Sequence, residues 1–233
     1  MSMVYEGGLS LTVVRIVFLI VTLLYIADLM VLVPKYTKCK YDHTPRRRKL
    51  VWKGACIAAP LIALVCGVAM QSVKAVYVPD LILVAAMTFC AVGDIVIEIR
   101  FFKGGLLFFA GHILYVTALL FINEKISGVA VVVYLILAVC GTVLTIQKLG
   151  RKYRPFLIGY NLMISGSFAL SLPLILTLKP ALVFLGTGAC FLAVSDWLLA
   201  RNKVYKSSCG WSLLSLMFYF GGQILISAYP YLK

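Results

Sequence analysis

Long apolar stretches separated by short polar or Gly/Pro-punctuated turns recur along this chain from one end to the other. Eight are long enough to cross a hydrocarbon layer, at about 9–33, 54–73, 81–98, 106–122, 128–146, 156–178, 181–199 and 211–229. A segment in lipid has no water to satisfy its backbone, so each is predicted to be a helix. The pattern predicts an all-α, polytopic transmembrane bundle of about eight spans, a single integral membrane domain over 1–233. The first run lacks a basic lead-in and a small-residue cleavage site, and it closes on Asp28 and Pro34. It reads as a retained span and not as a signal peptide.

Composition agrees. Of 233 residues 63% are hydrophobic and 13% charged, and the mean hydropathy is +1.03. The seven cysteines form no C-x-x-C pair and read as small apolar residues. The net charge of +14 changes the picture only through its distribution. The segments 34–53, 99–105, 147–155 and 200–210 hold eight, two, four and three of the Lys and Arg residues. The opposite turns hold only Lys74, Lys125, Lys179 and Lys233, with Arg15 inside the first span. Such asymmetry predicts that the basic side is cytoplasmic and both termini are non-cytoplasmic. The charge is then a topology signal and an attraction for anionic headgroups of the lipid bilayer, and no nucleic-acid partner is expected. The sequence is compatible with a bacterial inner membrane or a eukaryotic endomembrane such as the endoplasmic reticulum.

Against this background three carboxylates stand out: Asp28, Asp94 and Asp196. A carboxylate at mid-bilayer costs roughly 2.5–3.5 kcal/mol on insertion scales, so it marks a functional site by default. All three fall in the half of their span nearer the basic side, as do His112, Tyr160 and Asn161. Bland readings exist for several polar residues. Asp28 can snorkel to the interface, and so can Arg15. Asp80 reads as the N-cap of the third span. Glu98, one turn after Asp94, reads as a headgroup-level residue paired with Arg100 or Lys103. A lone His112 is more often a core residue than a ligand, and Trp197 and Trp211 fit an aromatic belt.

Asp94 and Asp196 resist the bland reading better. Gly93 or Ser195 precedes each, and Cys90, Ala91, Ala189, Ala193 and Ala200 keep their helix faces small. Small faces let helices approach, which predicts two carboxylates near one another inside the bundle. A protonated acid beside an ionised one equips a site for general acid–base hydrolysis. A metal centre is less expected, because His43 and His112 are the only histidines. A lipid amidase using His112 and both aspartates as ligands is the minor option. A small transporter or lipid-binding protein with a carboxylate proton relay is the rival reading.

Several motifs, taken together, resemble the YhhN-type lysoplasmalogenase family of multi-pass membrane proteins. They are Ala91-Val92-Gly93-Asp94, then Phe102, Gly105, Phe109, Gly111-His112 and Tyr115, then Tyr160, then Gly188-Ala189, Phe191 and Ser195-Asp196, and finally Gly222-Gln223 with Leu225-Ile226. The resemblance covers about residues 53–226. Members often have a lysine closely followed by proline in the second span, whereas here Gly54 follows Lys53 and Pro60 is distant. The resemblance implies hydrolysis of the vinyl-ether bond of a lysophospholipid substrate, with no metal or other cofactor. It points to Asp94, Asp196 and His112 as catalytic residues. Tyr115, Tyr160, Asn161, Asp28, Lys53 and Gln223 are the candidates for lining the substrate cavity.

Overall fold

The computed structural model describes residues 26–41, 45–71, 77–123, 125–148, 154–205 and 209–233, with single positions 16, 19, 20, 22 and 23. Arg15, His43 and Lys74 lie outside the described residues, as does most of the first predicted span. Every described element is helical. A π-helical turn, Asp28–Leu32, runs into α1 (Val33–Tyr41). The bundle proper is α2 (Arg46–Met70), α3 (Val78–Ile97), α4 (Phe101–Asn123), α5 (Gly128–Lys148), α6 (Arg154–Leu176), α7 (Pro180–Tyr205) and α8 (Cys209–Leu232). These seven helices match the second to eighth predicted spans in order. Six of them, all but α5, are long and apolar enough to cross a membrane, and α5 holds a shorter apolar stretch.

Helix contacts run α2–α3–α4–α6–α7–α8 and back to α2. The six long helices thus close a ring. The fifth helix packs outside it on α6, and α1 lies against α2 and α8. Each ring helix turns its small and polar positions inward. In α4 the buried residues are Gly104, Phe108, Gly111, His112, Tyr115, Ala118 and Leu119, a stripe at three- and four-residue spacing. The apolar residues face out: Ile113 is 41% exposed where its neighbour His112 is 2% exposed. That inversion of the soluble-protein pattern suits a lipid surround.

Close approach depends on glycine at two crossings. A Cβ on Gly188 of α7 would stand 2.7 Å from the Gly222 carbonyl oxygen of α8, and one on Gly222 would meet the Gly188 oxygen at the same distance. A Cβ on Gly111 would meet Cys90 Sγ at 2.6 Å. Backbones joined this closely set the rotation of α7 against α8 and of α4 against α3.

Two end contacts differ from expectation. The N-cap of α3 is Tyr77, with a proline in the first turn. Asp80 is therefore inside the helix. It is buried there and ion-paired with Lys233 at 3.1 Å, because an unpaired carboxylate at that depth is costly. Glu98, expected beside Arg100 or Lys103, accepts hydrogen bonds from Tyr36 and Lys53 on its Oε1. Trp211 is exposed, with the Arg201 guanidinium stacked over its ring.

Candidate functional site

Each helix of the ring sends one or two polar side chains inward. Lys53 comes from α2, Asp94 from α3, His112 and Tyr115 from α4, Tyr160 from α6, Asp196 from α7, and Tyr219 and Gln223 from α8. Lys53, Asp94, His112, Tyr115, Asp196, Tyr219 and Gln223 are all buried.

Two close side-chain contacts organise the group. Lys53 Nζ lies 3.1 Å from Asp94 Oδ1. His112 Nε2 lies 2.6 Å from Asp196 Oδ2. Packing of Gly111 on Cys90 sets the His112 pair about one helical turn, or roughly 6 Å, deeper than Asp94. Asp94 and Asp196 are within electrostatic reach of one another. The Tyr160 phenol lies beside Asp196, and its ring meets the His112 ring edge-on at 5.3 Å between centroids.

Local structure fixes these aims. Ser195 Oγ donates to the Ser215 carbonyl at 2.9 Å, and Ser215 Oγ donates back to the Ser195 carbonyl at 3.0 Å. This double clasp, with the Gly188–Gly222 crossing below it, locks the rotation of α7 and points Asp196 at α4. Gly93 lets the Phe108 ring close against α3 beside Asp94. Phe108 in turn packs edge-on against Tyr219.

The second organising feature is unmet hydrogen-bonding capacity. Asp94 Oδ2, His112 Nδ1, the hydroxyls of Tyr115 and Tyr219, and both amide atoms of Gln223 are buried with no partner of ordinary geometry among the described residues. The Tyr219 phenol neighbours Asp94 but stops short of a formed bond. Leaving one buried polar group unpaired costs about 1–3 kcal/mol. Six such atoms on three helices are poor architecture and good equipment: they can orient water and the polar part of a ligand.

Some candidates lie elsewhere. Asn161 is turned away from this interior. Its Nδ2 donates to the Ala138 carbonyl at 3.2 Å, and its amide packs on Gly141, pinning α5 to α6. The reason is helical geometry: adjacent residues point about 100° apart, so Tyr160 and Asn161 do not share a cavity. Asp28 opens the π-helical turn, and its side chain lies outside the described residues. The sequence pattern places Lys53 in the basic stretch 34–53, ahead of the second span. Lys53 is a buried residue of α2 engaged with Asp94 and Glu98. Sequence reasoning missed Tyr36 and Tyr219. Tyr219 was findable, since it precedes Gln223 by one helical turn.

Among the described residues no three His, Cys, Asp or Glu side chains are grouped as a metal centre requires. Between α4, α5 and α6 an apolar recess is lined by Val116, Leu120, Tyr134, Met163 and Leu170. It begins one turn beyond His112 on α4 and beyond Tyr160 on α6.

No curated protein and no solved structure matches the chain. The sequence model of the YhhN family matches residues 48–229, which takes in almost all of α2 to α8 and every inward-facing residue above. An integral membrane bundle built as a polar-cored ring over that stretch belongs to the YhhN family, the family of lysoplasmalogenases.

Proposed function

We propose that this chain hydrolyses the vinyl-ether bond of lysoplasmalogens, releasing a fatty aldehyde and glycerophosphoethanolamine or glycerophosphocholine. The observation that carries the reading is the pairing of a buried His112–Asp196 dyad with a second buried carboxylate, Asp94, inside an apolar shell.

A vinyl ether is cleaved once the carbon β to its oxygen takes a proton. In this reading the dyad supplies it. Asp196 grips Nε2, so in the imidazolium form Nδ1, which has no partner among the described residues, is the nitrogen left to donate. Positive charge then develops on the carbon bonded to oxygen. Asp94 stabilises that oxocarbenium ion electrostatically. Water adds to the same carbon, and Asp94 takes its proton. The hemiacetal then collapses: its hydroxyl proton returns to His112, its bond to the glycerol oxygen breaks, and Asp94 passes its proton to that leaving oxygen. One water is consumed and nothing is oxidised or reduced. Positioned proton transfer of this kind contributes typically 10²–10⁴-fold. Tyr115, Tyr160, Tyr219 and Gln223 orient the water and the glycerol hydroxyls. The hydrocarbon chain lies in the recess between α4, α5 and α6. The phosphate lies at the basic end of the bundle, which faces the cytoplasm.

The test is purified protein with a lysoplasmalogen in mixed micelles. Aldehyde should appear in step with the freed glycerophospho-alcohol and should survive extensive chelation. Lipid binding without aldehyde release would favour a lipid-handling or proton-relay protein instead. Activity lost on chelation and restored by one metal would overturn the acid–base mechanism.

A further inference from the structure

Lys53 does not serve Asp94 alone. Its ammonium sits between Asp94 of α3 and Glu98 at the C-cap of that helix, 3.1 Å from Asp94 Oδ1 and 3.2 Å from Glu98 Oε1. Asp94 and Glu98 are four residues apart on one helix, so they share a face and compete for the same cation. The division is then adjusted from a third element. Tyr36 of α1 donates its hydroxyl to the same Glu98 Oε1 at 2.6 Å, and its ring lies under the Lys53 ammonium at 5.6 Å. Tyr36 is buried; that burial, and then its bond to Glu98, push its phenol far above the ordinary range, so it remains an O–H donor. Tyr36 precedes the family-matched residues 48–229.

We propose that Glu98 and Tyr36 are positioning residues that set, through Lys53, the charge on Asp94. The physical argument is one of competition. Negative charge on Glu98 draws the ammonium away from Asp94 and also repels the Asp94 charge directly. The Tyr36 hydroxyl takes up part of the Glu98 charge and returns the ammonium to Asp94. Glu98 is the most exposed member, at 21% of its side chain, so the chain of contacts links the buried carboxylate to the end of the bundle. The other titratable groups facing Asp94 are the Tyr219 phenol from α8, Cys90 from its own helix, the Asp196 carboxyl from α7 and the Tyr160 phenol from α6. None of these touches Lys53 in the structure, so the two ends of the competition are separable from them by mutation.

The role of Asp94 in turnover rests on the hydrolase reading, but the coupling does not, and the experiment separates them. The infrared band of the protonated Asp94 carboxyl is followed against pH in the purified full-length protein, and is identified by its loss in Asp94→Asn. Glu98→Gln removes the competitor, so the band should appear only at lower pH, by about one pH unit. Tyr36→Phe strengthens the competitor, so the band should appear at higher pH. Lys53→Met should move it furthest upward, and Lys53→Arg should restore it toward its original position. The acidic limb of kcat/KM should follow the same order if Asp94 acts in hydrolysis. Opposite shifts from Glu98→Gln and Tyr36→Phe are hard to obtain from general loosening. Shifts in the same direction, no shift, or no band in any variant including Lys53→Met would overturn the coupling. Correct infrared shifts without aldehyde release would instead overturn the hydrolase reading and leave the coupling standing.

Discussion

His112 Nε2 sits 2.6 Å from Asp196 Oδ2, across the interior from α4 to α7, with both residues almost fully buried. The pair joins two helices far apart in sequence, and each partner satisfies a polar group of the other that would otherwise be buried unpaired. Breaking it by removing one partner strands the other in a low-dielectric interior. His112→Ala and Asp196→Ala should therefore each destabilise the protein, by about 3–5 kcal/mol if the pair is fully charged. The double variant should cost less than the two added, with a coupling of about 0.5–3 kcal/mol. Thermal unfolding in one detergent checks this; strict additivity would show that the 2.6 Å contact carries no energy.

Turnover should depend on both carboxylates. Asp94→Asn and Asp196→Asn keep size and polarity but remove the titrating group. Each should lower kcat by about 10² or more, with lysolipid binding retained. The double variant should be little worse than either single one, since residues acting as a unit are not additive. A folded single variant with near-normal kcat would remove that residue from the mechanism.

Tyr160 and Asn161 should separate sharply despite being adjacent. Asn161→Ala removes the bond to Ala138 and leaves the interior intact. It should cost about 0.5–1.5 kcal/mol of stability with little change in kcat. Tyr160→Phe removes the hydroxyl beside Asp196 and should lower kcat with little change in stability. Paired assays of melting temperature and aldehyde release decide it, and the reverse outcome would place the site on the α5 side of α6.

The glycines should divide in the same way. Gly188→Val puts bulk where a Cβ already meets a carbonyl oxygen at 2.7 Å. It should cost about 1–3 kcal/mol or prevent folding, and it should release the aim of Asp196. Gly54→Ala meets nothing within 4 Å. It should be neutral or stabilise α2 by about 0.5–1 kcal/mol, as alanine does in a helix interior. Expression yield and unfolding temperature compare the two directly.

Orientation is open to chemical labelling. In a variant keeping only Cys39, within the basic stretch before α2, an impermeant thiol reagent should react from the cytoplasmic side of sealed vesicles. Labelling from the other side would reverse the topology and move the basic end of the site to the opposite leaflet.

Much of this molecule is written along the chain. The helices from the second predicted span to the eighth follow from apolar length alone, because lipid permits few alternatives to a helix. That Asp94 and Asp196 are buried and engage polar partners is also signalled by local context, since a carboxylate amid Val, Ile, Leu and Trp needs a partner there. The misplacement of Lys53 shows the limit of the same logic. A basic residue near a span end reads as loop, and nothing local reveals that α2 begins at Arg46 and carries it into the interior.

Partnership was a matter for the tertiary structure. That His112 would take Asp196 and leave Nδ1 open depends on the rotation of α4 and α7, which Gly188, Gly222 and the Ser195–Ser215 clasp fix across helices. That Asn161 would hold α5 while Tyr160 faces the site depends on a 100° step resolved only once α6 has neighbours on both sides. That Lys53 would be divided between Asp94 and Glu98, with Tyr36 behind Glu98, depends on three elements meeting. Sequence determines which residues are too polar for their surroundings; only the closing of the ring determines which of them find each other, because pairing is a property of distances between helices and not of spacing along one.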